Sequence, residues 1–243
     1  MTKLDAFQLR KALPQEEFDY TLLTAALSQY SGVRQKINEL LKSGVIVRVK
    51  KGLYVFGPAY NQAPVCKEVL ANLIYGPSCI SLEYALSYHG LIPERVETLT
   101  SITPKRDKDF KTPLGQFTYR YLSLDKYPHG IEQVWLNSTH PVLMASPEKA
   151  ICDYVVLNKI STTQAAIQEV IQETTNIRRT TSSQGTMNIR GNTSSQGTTS
   201  IQDFLEADLR IDASALKQLN SEALRALNKF YRNKTIEQIL ETL

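Results

Sequence analysis

The stretch from Ser31 to Phe56 constrains the fold of this chain more than any other part of the sequence. Residues 31–42 have the spacing of a short helix, whose apolar side chains fall within an arc of roughly 100° and would face a core. Those side chains are Val33, Ile37, Leu40 and Leu41. The segments that follow are Ser43-Gly44, a strand at 45–47, a basic turn at 48–52 and a second strand at 53–56.

Basic residues are concentrated in the same part of the chain. The whole sequence has 28 Lys and Arg residues against 24 Asp and Glu residues. Residues 1–57 contain nine basic and five acidic residues, whereas residues 58–243 contain nineteen of each. The whole positive excess therefore lies in the N-terminal quarter, as expected of a module that contacts phosphates. The alternative is a solvated basic surface without a ligand.

The solvent-facing side of the predicted helix and the basic turn carry side chains that suit duplex DNA. A helix followed by a tight basic hairpin is typical of a winged helix-turn-helix, so residues 1–57 are predicted to form such a DNA-binding domain. Arg34 and Gln35, near the start of the helix, are expected to contact base edges. The predicted DNA-binding residues are Arg34, Gln35, Asn38, Lys42, Arg48, Lys50 and Lys51. A small helical domain that docks on another protein is the alternative.

Local signals position the other elements of this domain. A first helix is expected to stop at Pro14, and a second is expected from about Glu17 to Gln29. Ser31 is the expected N-cap of the third helix. Gly44 is expected to end that helix, and Gly52 is expected to supply the turn of the hairpin.

The rest of the chain has the pattern of a second, larger domain. Residues 58–64 are predicted to be a linker, and residues 65–243 a mixed α/β domain in which most strands lie between residues 96 and 145. Aromatic and polar residues alternate over Gln116–Leu122, which predicts a strand. The fold class is therefore expected to be α+β: an N-terminal winged helix-turn-helix, then a larger mixed α/β domain with a C-terminal helical segment.

Several motifs occur in an order and spacing that resembles one protein family. They are Lys50 to Val55, Ile80 to Pro93, Ile102 to Arg106, Thr118 to Tyr121, and Ser146 to Asp153. Together they resemble the AbiEi family, the antitoxins of abortive-infection, type IV toxin–antitoxin systems. The resemblance covers residues 1 to about 173 and resumes at about 200.

The resemblance implies a bipartite protein. Its winged helix would bind inverted repeats in the promoter of its own operon and repress transcription, and copies could pair on that DNA. Its second domain would counter a nucleotidyltransferase-like toxin, without necessarily forming a stable complex with it. Lys105, Arg106 and Lys108 are candidates for contact with toxin or nucleic acid, the alternative being a solvated turn.

A twelve-residue segment occurs twice, at 176–187 and 188–199, with nine of its twelve positions identical. This departs from the family pattern. Because the repeat is rich in Ser, Thr, Asn and Gly, a disordered surface loop is predicted over 174–200. A basic arm that touches DNA is the alternative interpretation.

The sequence contains no membrane-spanning apolar run and no signal-peptide pattern, so a cytoplasmic protein with no membrane partner is expected. Its three cysteines, Cys66, Cys79 and Cys152, are widely spaced, which indicates buried thiols in a reducing compartment. No cofactor motif and no pair of histidines with metal-ligand spacing occurs, so neither a cofactor nor a metal is predicted, and no catalytic residue.

Two other functions stay open from the sequence alone. Asp109-Phe110-Lys111 matches the D-x-K pattern of metal-dependent nucleases, although such a tripeptide often occurs by chance. In that case the chain would be a nucleic-acid-processing enzyme. In the other case it would be a protein-interaction adaptor, whose N-terminal module docks on a partner.

Overall fold

The computed structural model describes residues 3–136, 140–158, 211 and 213–243. Within these residues the chain combines helices with two β-sheets, which confirms the α+β class. The described residues belong to two compact units, Met1–Ala85 with Val96–Ser146, and Leu86–Arg95 with Pro147–Leu243. The loop predicted over 174–200 lies outside the described residues.

The N-terminal part of the first unit consists of three helices and three short strands. In chain order these are α1 (Lys3–Ala12), β1 (Glu17–Asp19), α2 (Tyr20–Ala26), α3 (Val33–Lys42), β2 (Ile46–Lys50) and β3 (Leu53–Phe56). The strands form an antiparallel sheet in the order β1-β3-β2. A single apolar cluster lies between this sheet and the helices, and it includes Leu9, Phe18, Leu23, Leu40 and Phe56.

The second helix is shorter than the predicted span of Glu17 to Gln29, because its first residues form strand β1. Phe18 pairs with Tyr54 of β3, and its ring packs 5.0 Å from the ring of Phe56. Asp19 then caps α2, because its carboxylate accepts a hydrogen bond of 2.8 Å from the amide of Leu22. The helix therefore begins only at Tyr20.

The remainder of the first unit is built around a larger sheet. Its elements are α4 (Lys67–Ile74), β4 (Cys79–Ile80), β5 (Leu99–Thr103), β6 (Lys108–Thr112), β7 (Gly115–Tyr121), β8 (Ile131–Trp135) and β9 (Pro141–Ala145). Helix α5 (Leu82–Tyr88) follows β4. The strands described form a six-stranded mixed sheet in the order β6-β7-β5-β4-β9-β8. Helix α4 packs on one face of it, where the Tyr119 hydroxyl donates to the carbonyl of Ala71.

The segment between the two sheets is tied to the smaller one by buried carboxylates. Glu16 accepts hydrogen bonds from the amides of Gln62 (3.0 Å) and Ala63 (2.9 Å), and Glu17 accepts one from the amide of Cys66 (2.7 Å). Both carboxylates are buried. The first compact unit therefore includes residues 58–64, which were predicted to be a linker. The division into two domains at that linker stays a prediction.

The second unit is helical in the residues described. Its helices are α6 (Pro147–Leu157), α7 (Ala213–Leu216), α8 (Ser221–Tyr231) and α9 (Lys234–Thr242). Helix α6 is buried over most of its surface, including the charged side chains of Lys149 and Asp153. Tyr231 of α8 bonds to both, at 2.9 Å from the Lys149 ammonium. This buried polar cluster fixes α8 against α6.

Among the described residues, no helix is both long enough and apolar enough to cross a bilayer.

Candidate nucleic-acid interface

Helix α3 is held with one face on the core and the other in solvent. Ile37 and Leu40 are buried, as the apolar spacing predicted. The helix ends in a Schellman motif, in which the amides of Gly44 and Val45 donate to the carbonyls of Leu41 (3.2 Å) and Leu40 (3.0 Å). Gly44 has a φ of +70°, so it meets the expected role at the end of the helix.

The start of α3 differs from the prediction. Gly32 rather than Ser31 occupies the N-cap position, and no side chain there accepts a hydrogen bond from the first turn. The amide of Lys36 nevertheless bonds to the carbonyl of Gly32 at 2.9 Å. The first turn therefore leaves amides available at the solvent-facing end of the helix, where the helix dipole is positive.

Strands β2 and β3 bring the basic hairpin beside this helix, and the two enclose an open groove of about 810 Å³. We call it the helix–hairpin groove. Its lining residues are Tyr20, Arg34, Ile37, Asn38, Arg48, Lys51, Gly52 and Tyr54. The structure therefore brings together Arg34 and Asn38 of α3 with Arg48 and Lys51 of the hairpin, four of the seven predicted DNA-binding residues.

The geometry of the hairpin sets the positions of its cations. Gly52 has a φ of +88°, which allows the tight turn after Lys51. Arg48 lies opposite Tyr54 across the two strands, and its guanidinium carbon is 5.9 Å from the centre of that ring. The ring orients the guanidinium by a cation–π contact while leaving Arg48 exposed at the groove.

Two further predicted residues, Gln35 and Lys42, are exposed on α3 but do not line the groove. Between them, Lys36 pairs with Glu39 at 3.6 Å and stands 4.9 Å from the ring centre of Tyr30. The only acidic side chain on this helix is thus engaged by a lysine of the same helix.

The structure puts Lys50 elsewhere, contrary to the prediction that it projects with the other hairpin cations. Its ammonium donates to the carbonyl of Ile74, at the end of α4. The reason is a β-bulge, because Arg48 pairs with Tyr54 whereas Lys50 already pairs with Leu53. The extra residue turns Lys50 away from the face that carries Arg48.

Lys50 instead lies near two of the other predicted contact residues. Burial lowers its pKa, and the positive charges of Lys108 and Lys105 lower it further. Lys105 and Arg106 are exposed on the connection after β5, as predicted, but Lys108 begins strand β6 rather than lying in a turn. These cations form a second basic surface, separate from the helix–hairpin groove.

The proposed nuclease residue Asp109 has a structural partner. It lies on β6, opposite Thr118 of β7, and its carboxylate accepts a hydrogen bond of 2.9 Å from Arg120. In the described parts of the chain no group of three or more His, Cys, Asp and Glu side chains could hold a metal ion. Among these residues there is thus no metal-binding cluster that would support the nuclease alternative.

Two tyrosines of the groove were not predicted as a pair. Tyr20 falls within the helix predicted from about Glu17, but it begins α2 directly after β1 and is 41% exposed. Tyr54, on strand β3, is 4% exposed and its ring lies against the groove. The polar–apolar–polar run Glu17-Phe18-Asp19 precedes Tyr20, but three residues are too few to distinguish a strand from the start of a helix.

Comparison of the chain with protein-family models and with curated proteins gave no match. The interpretation of the groove therefore depends on its own residues and geometry, together with the resemblance of the sequence motifs.

Proposed function

We propose that residues 1–57 form a winged helix-turn-helix domain that binds duplex DNA through the helix–hairpin groove. The observation that carries this proposal is the convergence of Arg34 and Asn38 from the helix with Arg48 and Lys51 from the hairpin on one open groove. A helix beside a β-hairpin matches the two contact elements of such a domain.

The chemistry of these side chains supports separate roles for the two elements. An arginine can bond to a guanine edge with two hydrogen bonds, and an asparagine can do the same with an adenine. Arg34 and Asn38 are therefore assigned to base contacts, with Gln35 and Lys42 flanking them on the same helix. Arg48 and Lys51 are assigned to phosphates, which fix the position of the helix in the major groove.

The same proposal extends to the biological role. The AbiEi-type motifs support an autorepressor that binds inverted repeats in its own promoter, and an antitoxin that counters a nucleotidyltransferase-like toxin. The positive excess is confined to residues 1–57. This supports separate regions for repression and for antitoxin activity, because DNA binding would need only the basic part of the chain. On this proposal the protein acts by binding and has no catalytic activity.

The test of DNA binding uses the full chain and a labelled duplex from upstream of its own reading frame, measured by fluorescence anisotropy over a range of salt concentrations. Arg48→Ala with Lys51→Ala should weaken binding to specific and unrelated duplexes alike. It should also reduce the salt slope by about 1.8, because each phosphate contact contributes about 0.9. Arg34→Ala should cost roughly 1–3 kcal/mol and remove the preference at one base position.

Lys11→Ala is the matched control, because Lys11 is exposed on α1 and does not line the groove. Binding that all these variants leave unchanged would refute the proposal. Salt-insensitive binding to a protein, with no binding to any duplex, would favour the adaptor instead. The antitoxin role has its own assay, which is rescue of growth when the chain is co-expressed with a nucleotidyltransferase-like toxin from the adjacent reading frame.

A further inference from the structure

A second open cleft, of about 570 Å³, lies at the carboxyl ends of strands β5 and β7, where helix α4 ends. Its lining residues are Tyr75, Pro104, Lys105, Arg106 and Tyr121. We call it the tyrosine–lysine cleft. Its residues come from the end of α4, the connection after β5 and the last residue of β7, so it shares no lining residue with the helix–hairpin groove.

Two lysines lie over the ring of Tyr75 at this cleft. The ammonium groups of Lys105 and Lys108 lie 5.4 Å and 5.5 Å from the ring centre of Tyr75, and that of Lys108 is also 5.1 Å from the ring centre of Phe110. The Lys105 ammonium also donates to the carbonyl of Gly76. Lys50 is close enough to both lysines that their charges lower its pKa. Several like charges are therefore held near one another, which a bound anion would stabilise.

The carboxylates beside the cleft are engaged in other contacts. Asp107 accepts a hydrogen bond of 2.7 Å from the amide of Tyr121, and Asp109 pairs with Arg120 at 2.9 Å. Two acidic side chains thus stand against the four cations Lys50, Lys105, Arg106 and Lys108, so the local charge stays positive.

The aromatic side chains differ in how they are held. Tyr75 is fixed, because its ring packs 5.4 Å from Tyr119 and 5.8 Å from Phe110. Tyr121 is 51% exposed, so its ring can be covered by a ligand. An exposed ring on a rigid sheet, with lysines and an arginine around it, is the combination by which proteins bind unpaired bases and their phosphates.

We propose that the tyrosine–lysine cleft binds single-stranded nucleic acid, with one base stacked on Tyr121 and the adjoining phosphates contacted by Arg106 and Lys108. A duplex does not offer this contact, because its bases are already stacked on each other. An acidic peptide would use the cations but leave the tyrosine rings without a planar partner. This inference is independent of the proposed duplex-binding function, because it depends on different residues.

The test measures the affinity of the full chain for a labelled 12-nucleotide strand, as RNA and as DNA of the same sequence, by fluorescence anisotropy. Tyr121→Ala should weaken binding roughly tenfold, whereas Tyr121→Phe, which keeps the ring, should not. Arg106→Gln with Lys108→Gln should reduce the salt slope by about 1.4, because each phosphate contact to a single strand contributes about 0.7. The RNA and DNA strands show which nucleic acid the cleft prefers.

Lys111→Gln is the matched control, because Lys111 is exposed on the same strand as Lys108 but alternates to the other face of the sheet. The inference is overturned if Tyr121→Ala leaves single-strand affinity unchanged in a variant that melts like the parent chain. It is also overturned if Arg34→Ala with Arg48→Ala abolishes single-strand binding while the cleft variants retain it, or if polyglutamate of equal charge displaces the strand as well as unlabelled RNA does. If the parent chain binds the single strand but no duplex, that result would instead count against the proposed function.

Discussion

Replacing Asp153 with Asn tests how the second unit is held together. Lys149 and Asp153 lie 3.4 Å apart with both side chains fully buried. At that distance two unit charges attract by about 5 kcal/mol at an effective dielectric constant of about 20. Removing one partner of a buried pair generally costs about 3–5 kcal/mol. Asn has nearly the volume of Asp and keeps an oxygen that can accept a hydrogen bond from Tyr231. The lost stability should therefore reflect mainly the missing charge.

The assay is hydrogen–deuterium exchange followed by mass spectrometry. In Asp153→Asn, amides of α6 and α8 should exchange roughly 10² to 4 × 10³ times faster, since about 1.4 kcal/mol corresponds to a factor of ten. Peptides from the six-stranded sheet belong to the other unit and serve as an internal reference. Their exchange should stay the same.

A double-mutant cycle separates the charge pair from other effects. Lys149→Met removes the ammonium but keeps most of the stem, and Lys149→Met with Asp153→Asn removes both charges. The double variant should be more stable than the sum of the single losses predicts, by about 2 kcal/mol or more. Strict additivity, or unchanged exchange in Asp153→Asn, would refute the idea that this ion pair stabilises the docking of α8 on α6.

Two further predictions concern the first unit. A Cβ at Gly57 would lie 1.9 Å from the carbonyl oxygen of Gly44, so Gly57→Ala should lower the free energy of unfolding by about 3 kcal/mol or more, as measured by urea denaturation. A Cβ at Gly44 would lie in open space, at a φ of +70°, so Gly44→Ala should lower the free energy of unfolding by only about 1 kcal/mol. Equal losses of stability in the two variants would contradict the steric argument. Burial raises the pKa of the Cys66 thiol to about 11, and the Glu68 carboxylate raises it too, against a smaller opposite effect of the Val69 backbone. Because the thiolate is the reactive form, the alkylation rate of Cys66 should keep rising with pH through pH 10, and a plateau near pH 9 would contradict this.

The elements of the N-terminal module that depend on local signals could be predicted from the sequence. The apolar stripe of Ile37 and Leu40 is set by helical periodicity, and Gly44 and Gly52 occupy backbone conformations that other residues resist. Strand β1 could not be predicted in the same way. Its three residues pair with Val55, Tyr54 and Leu53, far along the chain, and a three-residue pattern cannot distinguish such a strand from the start of a helix.

Strand β6 was missed for a related reason. It lies at the edge of the sheet, and its sequence Lys108–Thr112 has one aromatic residue among charged and polar ones. Charged side chains suit an edge strand, because they discourage pairing with other chains, but the same composition is typical of an exposed turn. The burial of Lys149 and Asp153 was equally hidden, since an i,i+4 pair on a helix usually lies on the surface and the partner Tyr231 is distant in sequence.

The nine basic residues of the N-terminal module looked like one set in the sequence, but the structure divides them by their partners. Arg10 forms a buried ion pair with Glu16, Lys36 pairs with Glu39, and Lys50 is turned onto the carbonyl of Ile74 by the bulge in β2. A cation that already has a carboxylate or carbonyl partner gains less from a phosphate, because it must give up that contact. The salt dependence of duplex binding should therefore follow the few cations at the helix–hairpin groove, Arg48 and Lys51 above all, rather than the total charge of the module.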